Sequence, residues 1–126
     1  MTKKILLIED NEQNIYLMKF LLEKKGFHVD VSKDGNDGIK NALLIKPDMI
    51  LLDIQLPDID GYSIAGELKK HNELNGVPIV AVTSYALAGD REKAIEAGCT
   101  GYLEKPINPD TFINDIKKYF NDPDGN

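Results

Sequence analysis

Cysteine and histidine are scarce in this sequence. A single cysteine, Cys99, leaves no internal disulfide framework and makes a reducing, cytoplasmic setting the expectation. Cys99 itself reads as a small buried residue. The two histidines, His28 and His71, have no partner at metal-ligand spacing, which argues against an imidazole-built metal centre. Long apolar runs are missing as well, and no stretch approaches transmembrane length. The N-terminal run Ile5-Leu6-Leu7-Ile8 stops at Glu9-Asp10, too soon for the apolar region of a signal peptide. Positive charge is in deficit: 15 Lys and Arg stand against 21 Asp and Glu, a formal net charge of −6. That balance disfavours a surface built for nucleic acid or anionic lipid. It fits either a local concentration of carboxylates or a solvated acidic surface.

What is present suits one domain. The 126 residues leave no room for a second, and 42% hydrophobic content is enough for a packed core. Short apolar runs alternate with amphipathic segments. Ile5–Ile8 reads as a buried strand. From about Asn11 to Lys25, Ile15, Met18, Leu21 and Leu22 recur at helical spacing, with Gly26 as the stop. Phe27–Val31 alternates as an edge strand would. Asp34-Gly35 opens a second helix, with Ile39, Ala42 and Leu43 inward, ended by Pro47. Met49–Leu52 is the next buried strand, closed by Asp53, and Pro57–Gly61 is dense in turn residues. A third helix buries Ile64, Ala65 and Leu68. Val77–Val82 is a strand with Pro78 near its start, and a helix from about Gly89 to Ala97 ends at Gly98. Tyr102-Leu103 forms a short strand terminated by Lys105-Pro106. Asn108-Pro109-Asp110 then supplies a cap, a first-turn proline and an acid for a last helix through Phe112, Ile113, Ile116 and Phe120. Residues 121–126 read as a frayed tail.

Five βα units in a row, with continuous apolar strands, imply a parallel sheet covered on both faces. The expected fold is α/β, a flavodoxin-like doubly wound sheet of five strands in the order 2-1-3-4-5, with five helices. In such a sheet ligands bind outside the carboxyl ends of the strands, at the switch in strand order. Glu9-Asp10, Asp53, Thr83-Ser84 and Lys105 each follow a strand, and the switch brings Glu9, Asp10 and Asp53 together. Carboxylates gathered at the mouth of apolar strands repel one another, and a hard divalent cation relieves this. Mg²⁺ suits a site with few protein ligands and a phosphate to share. Lys105 supplies a point cation for a phosphoryl oxygen, and Thr83 a hydroxyl donor. Taken singly, each is an ordinary feature: an acidic helix start, a turn aspartate, a solvated lysine before proline, a β-favouring threonine. Their coincidence on one sheet edge favours function.

At these residues the chain resembles the response-regulator receiver family. The matching segments are Ile8-Glu9-Asp10-Asn11, Leu52-Asp53-Ile54-Gln55-Leu56-Pro57, Asp60-Gly61, Val82-Thr83-Ser84-Tyr85-Ala86, Gly98-Cys99 and Tyr102-Leu103-Glu104-Lys105-Pro106. They fall within a core of about residues 3–120. Within the family the chain is similar to stand-alone regulators of the DivK type and to the receivers of hybrid kinases. The resemblance implies that Asp53 accepts a phosphoryl group from a histidine kinase or histidine phosphotransferase. It also implies Mg²⁺ held by Asp10, Asp53, the Gln55 backbone carbonyl and Glu9 (directly or through water), with Mn²⁺ as a substitute. Lys105 and Thr83 would bind the phosphoryl group, Thr83 and Tyr102 would act as the switch, and Gln55 and Tyr85 would tune the acyl-phosphate lifetime. Lys105-Pro106 is where receivers hold a cis peptide.

The implied output is a partner protein read by the last two helices and the strand between them, or a phosphorylation-dependent dimer. Direct contact with nucleic acid or membrane is not implied. A receiver excised from a longer hybrid kinase is the alternative, with the starting Met1 favouring a stand-alone protein. A small Mg²⁺-dependent phosphatase is a weaker reading, because Asp53-Ile54-Gln55 lacks a second acid and no insertion forms a cap. A flavin-binding module fares no better, because Glu9-Asp10-Asn11-Glu12 would repel phosphate without a metal.

Overall fold

The computed structural model describes residues 2–84 and 89–120. Tyr85 and the tail from residue 121 therefore lie outside the described residues.

The apolar runs become strands β1 (Lys4–Ile8), β2 (His28–Ser32), β3 (Met49–Asp53), β4 (Ile79–Thr83) and β5 (Gly101–Glu104). All pair in parallel, in the order β2-β1-β3-β4-β5. Helices α1 (Glu12–Lys24), α2 (Gly35–Ile45), α3 (Gly61–Lys69), α4 (Asp90–Ala97) and α5 (Phe112–Lys117) link or follow them. Because side chains alternate across each strand, neighbouring residues serve opposite cores. Ile5, Leu7, Met49, Leu51, Val80 and Val82 pack against Ile15, Met18 and Leu22 of α1 and Phe112, Ile113 and Ile116 of α5. Leu6, Ile8, Ile50, Leu52 and Ala81 face Ala42 of α2, Ile64, Ala65 and Leu68 of α3, and Ala94 of α4. Burial of one such aliphatic side chain contributes about 1.5–3 kcal/mol. Two filled faces leave the inner strands no polar side.

Several boundaries differ from the sequence expectation. The edge strand is His28–Ser32, one residue later than its alternation suggests, and β4 starts at Ile79, just past Pro78. Pro78 has no N–H to give the ladder, though its carbonyl still accepts from Ile50 N–H at 2.9 Å. The last helix does not open at Asn108-Pro109-Asp110. Those residues form a turn in which Asn108 Oδ1 accepts from Asp110 N–H at 2.9 Å, and α5 begins at Phe112. Its far end also stops early. Past Lys117 the chain tightens into turns, with Tyr119 N–H to Ile116 O and Phe120 N–H to Lys117 O. Phe120 is still anchored, stacked on Phe27 at 5.7 Å with the Lys3 ammonium 5.2 Å from its ring centre. A short 3₁₀ turn at Asn72–Leu74 was not foreseen.

Helix starts follow the expected side-chain chemistry. Asn11 Oδ1 accepts from Asn14 N–H, Asp34 Oδ1 from Asp37 N–H, and Asp60 Oδ1 from Tyr62 and Ser63 N–H. Helix α3 sits so close to β3 that a Cβ on Gly61 would lie 2.5 Å from Ile54 Cα, which makes glycine obligatory there. Helix α2 ends on Lys46 at φ 52°, left-handed backbone carried by a residue with a side chain. That conformation costs such a residue about 1–2 kcal/mol, whereas glycine's extra unfolded freedom costs about 0.5–1 kcal/mol. Lys46→Gly should therefore stabilise the fold, by about 0.5–1 kcal/mol in urea denaturation. A lower midpoint at unchanged slope would contradict this account of the cap.

Candidate functional site

Sheet register assembles the site. Ile8 pairs with Leu52, Asp53 with Val82, and Thr83 with Glu104. Each polar residue therefore leaves its strand within a residue or so of the next, along one edge. The ladder continues past the strand ends: Glu9 N–H reaches Ser32 O at 2.9 Å, Ile54 N–H reaches Val82 O at 3.1 Å, and Lys105 N–H reaches Thr83 O at 2.8 Å. Backbone hydrogen bonding thus fixes where Glu9, Asp53, Thr83 and Lys105 emerge.

Glu9, Asp53 and Thr83 are buried polar residues in an otherwise apolar interior. Glu9, Asp10 and Asp53 can bring one carboxylate oxygen each within 4.8 Å of one another. Asp10 is the exposed member. Into this cluster Lys105 extends a side chain only 9% exposed, its ammonium 2.9 Å from Glu9 Oε1 and 3.5 Å from Asp53 Oδ2. The ordinary reading of a lysine before proline, a solvated loop residue, does not apply. The Lys105-Pro106 peptide is cis, as the resemblance implied. Asp53 Oδ1 accepts from Gln55 N–H at 2.9 Å, and Glu9 Oε2 from Asn11 N–H at 3.2 Å.

Three carboxyls facing one ammonium remain electrostatically unbalanced. At about 4 Å and an effective dielectric near 20, each uncompensated like-charge pair costs about 4 kcal/mol. The imbalance registers on Glu9. Burial first of all, opposed by the Lys105 ammonium and reinforced by Asp53, pushes its carboxyl from the ordinary 4.5 up to about 7. Buried Glu9 Oε1 has the Lys105 ammonium as its partner. An oxygen-only donor set with negative charge to spare beyond that one ammonium fits a hard divalent cation of the Mg²⁺ kind.

Tyr102, on β5, is half-buried against the core beneath α2, α3 and α4. Burial, then Asp90, Glu104 and Tyr62, raise its phenol above the usual range. The histidines stand apart from the cluster, His28 beside Asp30 at 3.2 Å and His71 beside Glu67 at 3.6 Å. Cys99 is buried, and burial pushes its thiol up to about 11, which suits an unreactive core residue. Sequence reasoning grouped Asp58 and Asp60 as turn residues, with Asp60 also in the matching Asp60-Gly61 segment, and missed what each carboxylate holds. Asp60 could have been found as an aspartate directly before a helical pattern. Asp58 could not, because its partners are Gly35 and Asn36, more than twenty residues away.

Comparison with known proteins places this geometry. Residues 5–117 match the response regulator receiver domain. The polar-differentiation response regulator DivK of Brucella ovis is 39% identical over 122 residues, 97% of this chain and 99% of that protein. Among solved structures, the receiver domain of a sensor histidine kinase from Pseudomonas aeruginosa superposes with a TM-score of 0.86 at 34% identity. The match covers 94% of this chain and 98% of that one, which has a magnesium ion coordinated in its active-site cleft. A Vibrio cholerae chemotaxis protein of the CheY type shares the fold, with a TM-score of 0.90 at 22% identity over 95% of this chain and all of that one. The chain belongs to the response-regulator receiver domain family of two-component signalling, in which it is DivK-like.

Proposed function

We propose that Asp53 is the phosphoacceptor of a two-component phosphorelay, charged by a histidine kinase or histidine phosphotransferase. The observation that carries this reading is the buried Asp53 carboxylate held beside the Lys105 ammonium within a cluster of acidic oxygens. A carboxylate is already an anion, so no general base enters. One Asp53 oxygen attacks phosphorus in line, the bond to the donor imidazole nitrogen breaks, and the aspartyl phosphate is later hydrolysed by water. Lys105 lies where it can pair with a phosphoryl oxygen, and Thr83, at the end of the adjacent strand, offers its hydroxyl to another. Asp10, Asp53, the Gln55 carbonyl and Glu9, directly or through water, would hold Mg²⁺ or Mn²⁺, which supplies charge neutralisation during transfer. Glu9 also serves before transfer, keeping Lys105 ordered at 2.9 Å.

In this reading the chain is one receiver unit over residues 1–126, with a core of about 3–120 and a tail at 121–126. It is a cytoplasmic regulator that assists only its own phosphorylation and dephosphorylation. Gln55, and Tyr85 outside the described residues, tune the lifetime. Thr83 and Tyr102 shift the face of α4, β5 and α5 toward a downstream protein or a second phosphorylated copy. The backbone bond from Lys105 to Thr83 supports that route, because it ties the phosphate-binding lysine to the threonine strand. Among the described residues no helix is long and apolar enough to cross a membrane.

Incubation with Mg²⁺ and acetyl phosphate should add one phosphoryl group to the wild type, read by intact mass. EDTA or Asp53→Ala should abolish it. An adduct that survives in Asp53→Ala would remove Asp53 from this role.

Glu9 makes a second expectation. Its raised proton affinity means the folded chain keeps a proton that the unfolded chain has lost. The associated stability is complete below about 4.5 and is lost as pH rises through about 7. Without metal, the melting temperature should carry a downward contribution across that window, and Glu9→Gln should remove it. Mg²⁺ should stabilise the wild type more above the window than below it. An unchanged pH slope in Glu9→Gln would assign the charge strain elsewhere.

A further inference from the structure

Three aspartates fasten the segment between β3 and α3, each to a different neighbour. Asp53 holds the segment's start through Gln55 N–H at 2.9 Å. Asp60 caps α3 through Tyr62 and Ser63 N–H, and its other oxygen takes the Ser63 hydroxyl at 2.8 Å. Asp58 reaches sideways to α2. Its Oδ1 accepts from Gly35 N–H at 2.7 Å and its Oδ2 from Asn36 N–H at 3.0 Å.

The bridge supplies what a helix start lacks. The amides of its first turn have no partner within the helix. Asp34 Oδ1 accepts from Asp37 N–H at 2.8 Å, while Gly38 N–H begins the ordinary helical ladder on the Asp34 carbonyl at 3.0 Å. The amides of Gly35 and Asn36 go to Asp58. Contact is close on the apolar side as well. A Cβ on Gly35 would lie 2.7 Å from Ile64 Cδ1 and 3.2 Å from both Asp58 Oδ1 and Ile59 Cβ. Loop and helix therefore meet through bare backbone on one side and a two-oxygen carboxylate on the other. Only an ionised carboxylate presents acceptors to both amides; an asparagine would turn a donor toward one of them. The same amides hold Asp58 below the ordinary carboxylate range, Gly35 most strongly.

We propose that Asp58 is a positioning residue for the cation: by bridging the N-terminus of α2 it holds the β3–α3 loop so that the Gln55 carbonyl stays in register with Glu9, Asp10 and Asp53. The proposal rests on the reading of the acidic cluster given above. Gln55 is restrained on its near side by Asp53, and the bridge at Asp58 restrains the loop three residues further on. Without it, the loop's outer half keeps its tie to α3 and its apolar contact with Gly35, and loses its hydrogen bonds to α2. Cation affinity and order at the start of α2 become linked quantities, and such coupling is reciprocal.

The test is calorimetric Mg²⁺ titration of the whole chain, paired with amide exchange at Gly35 and Asn36. Asp58→Ala should weaken Mg²⁺ binding about tenfold, the usual scale for an outer support of a metal site. Asp58→Asn should fall between it and wild type, since one acceptor survives. In the wild type Mg²⁺ should slow exchange at both amides, and in Asp58→Ala it should not. Asp37→Asn controls for charge, because it removes an exposed carboxylate from the same helical turn without breaking the bridge. Wild-type affinity in Asp58→Ala, with Gly35 and Asn36 exchanging faster, would reduce Asp58 to a helix cap and overturn the proposal. An equal loss in Asp37→Asn, or a loss that vanishes at high salt, would assign the effect to charge and overturn it too. If the wild type itself binds no Mg²⁺, or Asp53→Asn binds it equally, the reading of the cluster fails and this inference falls with it.

Discussion

A lysine ammonium between two buried carboxylates is the contact around which this molecule is arranged. Glu9, Asp53 and Lys105 come from three different strand ends, and their meeting requires every register in between to be correct. A one-residue slip in any strand would turn a site residue into the core and a core residue into the site. Such a trio is not there for stability, because removing charges from water is unfavourable and the pairing is incomplete. The apolar layers on both faces of the sheet supply the stability, and they also keep water from screening the trio.

That division of labour explains what could be read from the sequence. The strands are continuous apolar runs because both faces are covered, so β1, β3 and β4 stood out, and with them the positions just beyond their ends. Strand order followed from the alternation of elements and the length of the chain. Glu9, Asp53, Thr83 and Lys105 can thus be gathered on one edge from the sequence, each by its place at or after a strand end. Their burial and separations cannot, because these depend on the ladder bonds that run past the strands.

Other features were legible only in part, for local reasons. The start of α5 was misread because Asn108, Pro109 and Asp110 carry the chemistry of a helix cap and use it to close a turn. Lys46 gave no warning of left-handed backbone, since nothing in Ile45-Lys46-Pro47 supplies the glycine that such a stop favours. Asp58 is the clearest case. In sequence it is a turn aspartate among others, and its meaning appears only when α2 arrives beside it.

The sheet's two margins carry a consequence of their own. At one margin β5 is four residues long, closed by Lys105-Pro106, and the Tyr119 ring covers Gly101 at its start. At the other, β2 carries His28 and Asp30 and leads into Lys33. Short length, charge and proline are the devices that keep open sheets from annealing to one another. A molecule whose margins are blunted in this way offers little for a visiting strand to extend. Contact with another protein is thereby left to side chains and to the outer faces of helices.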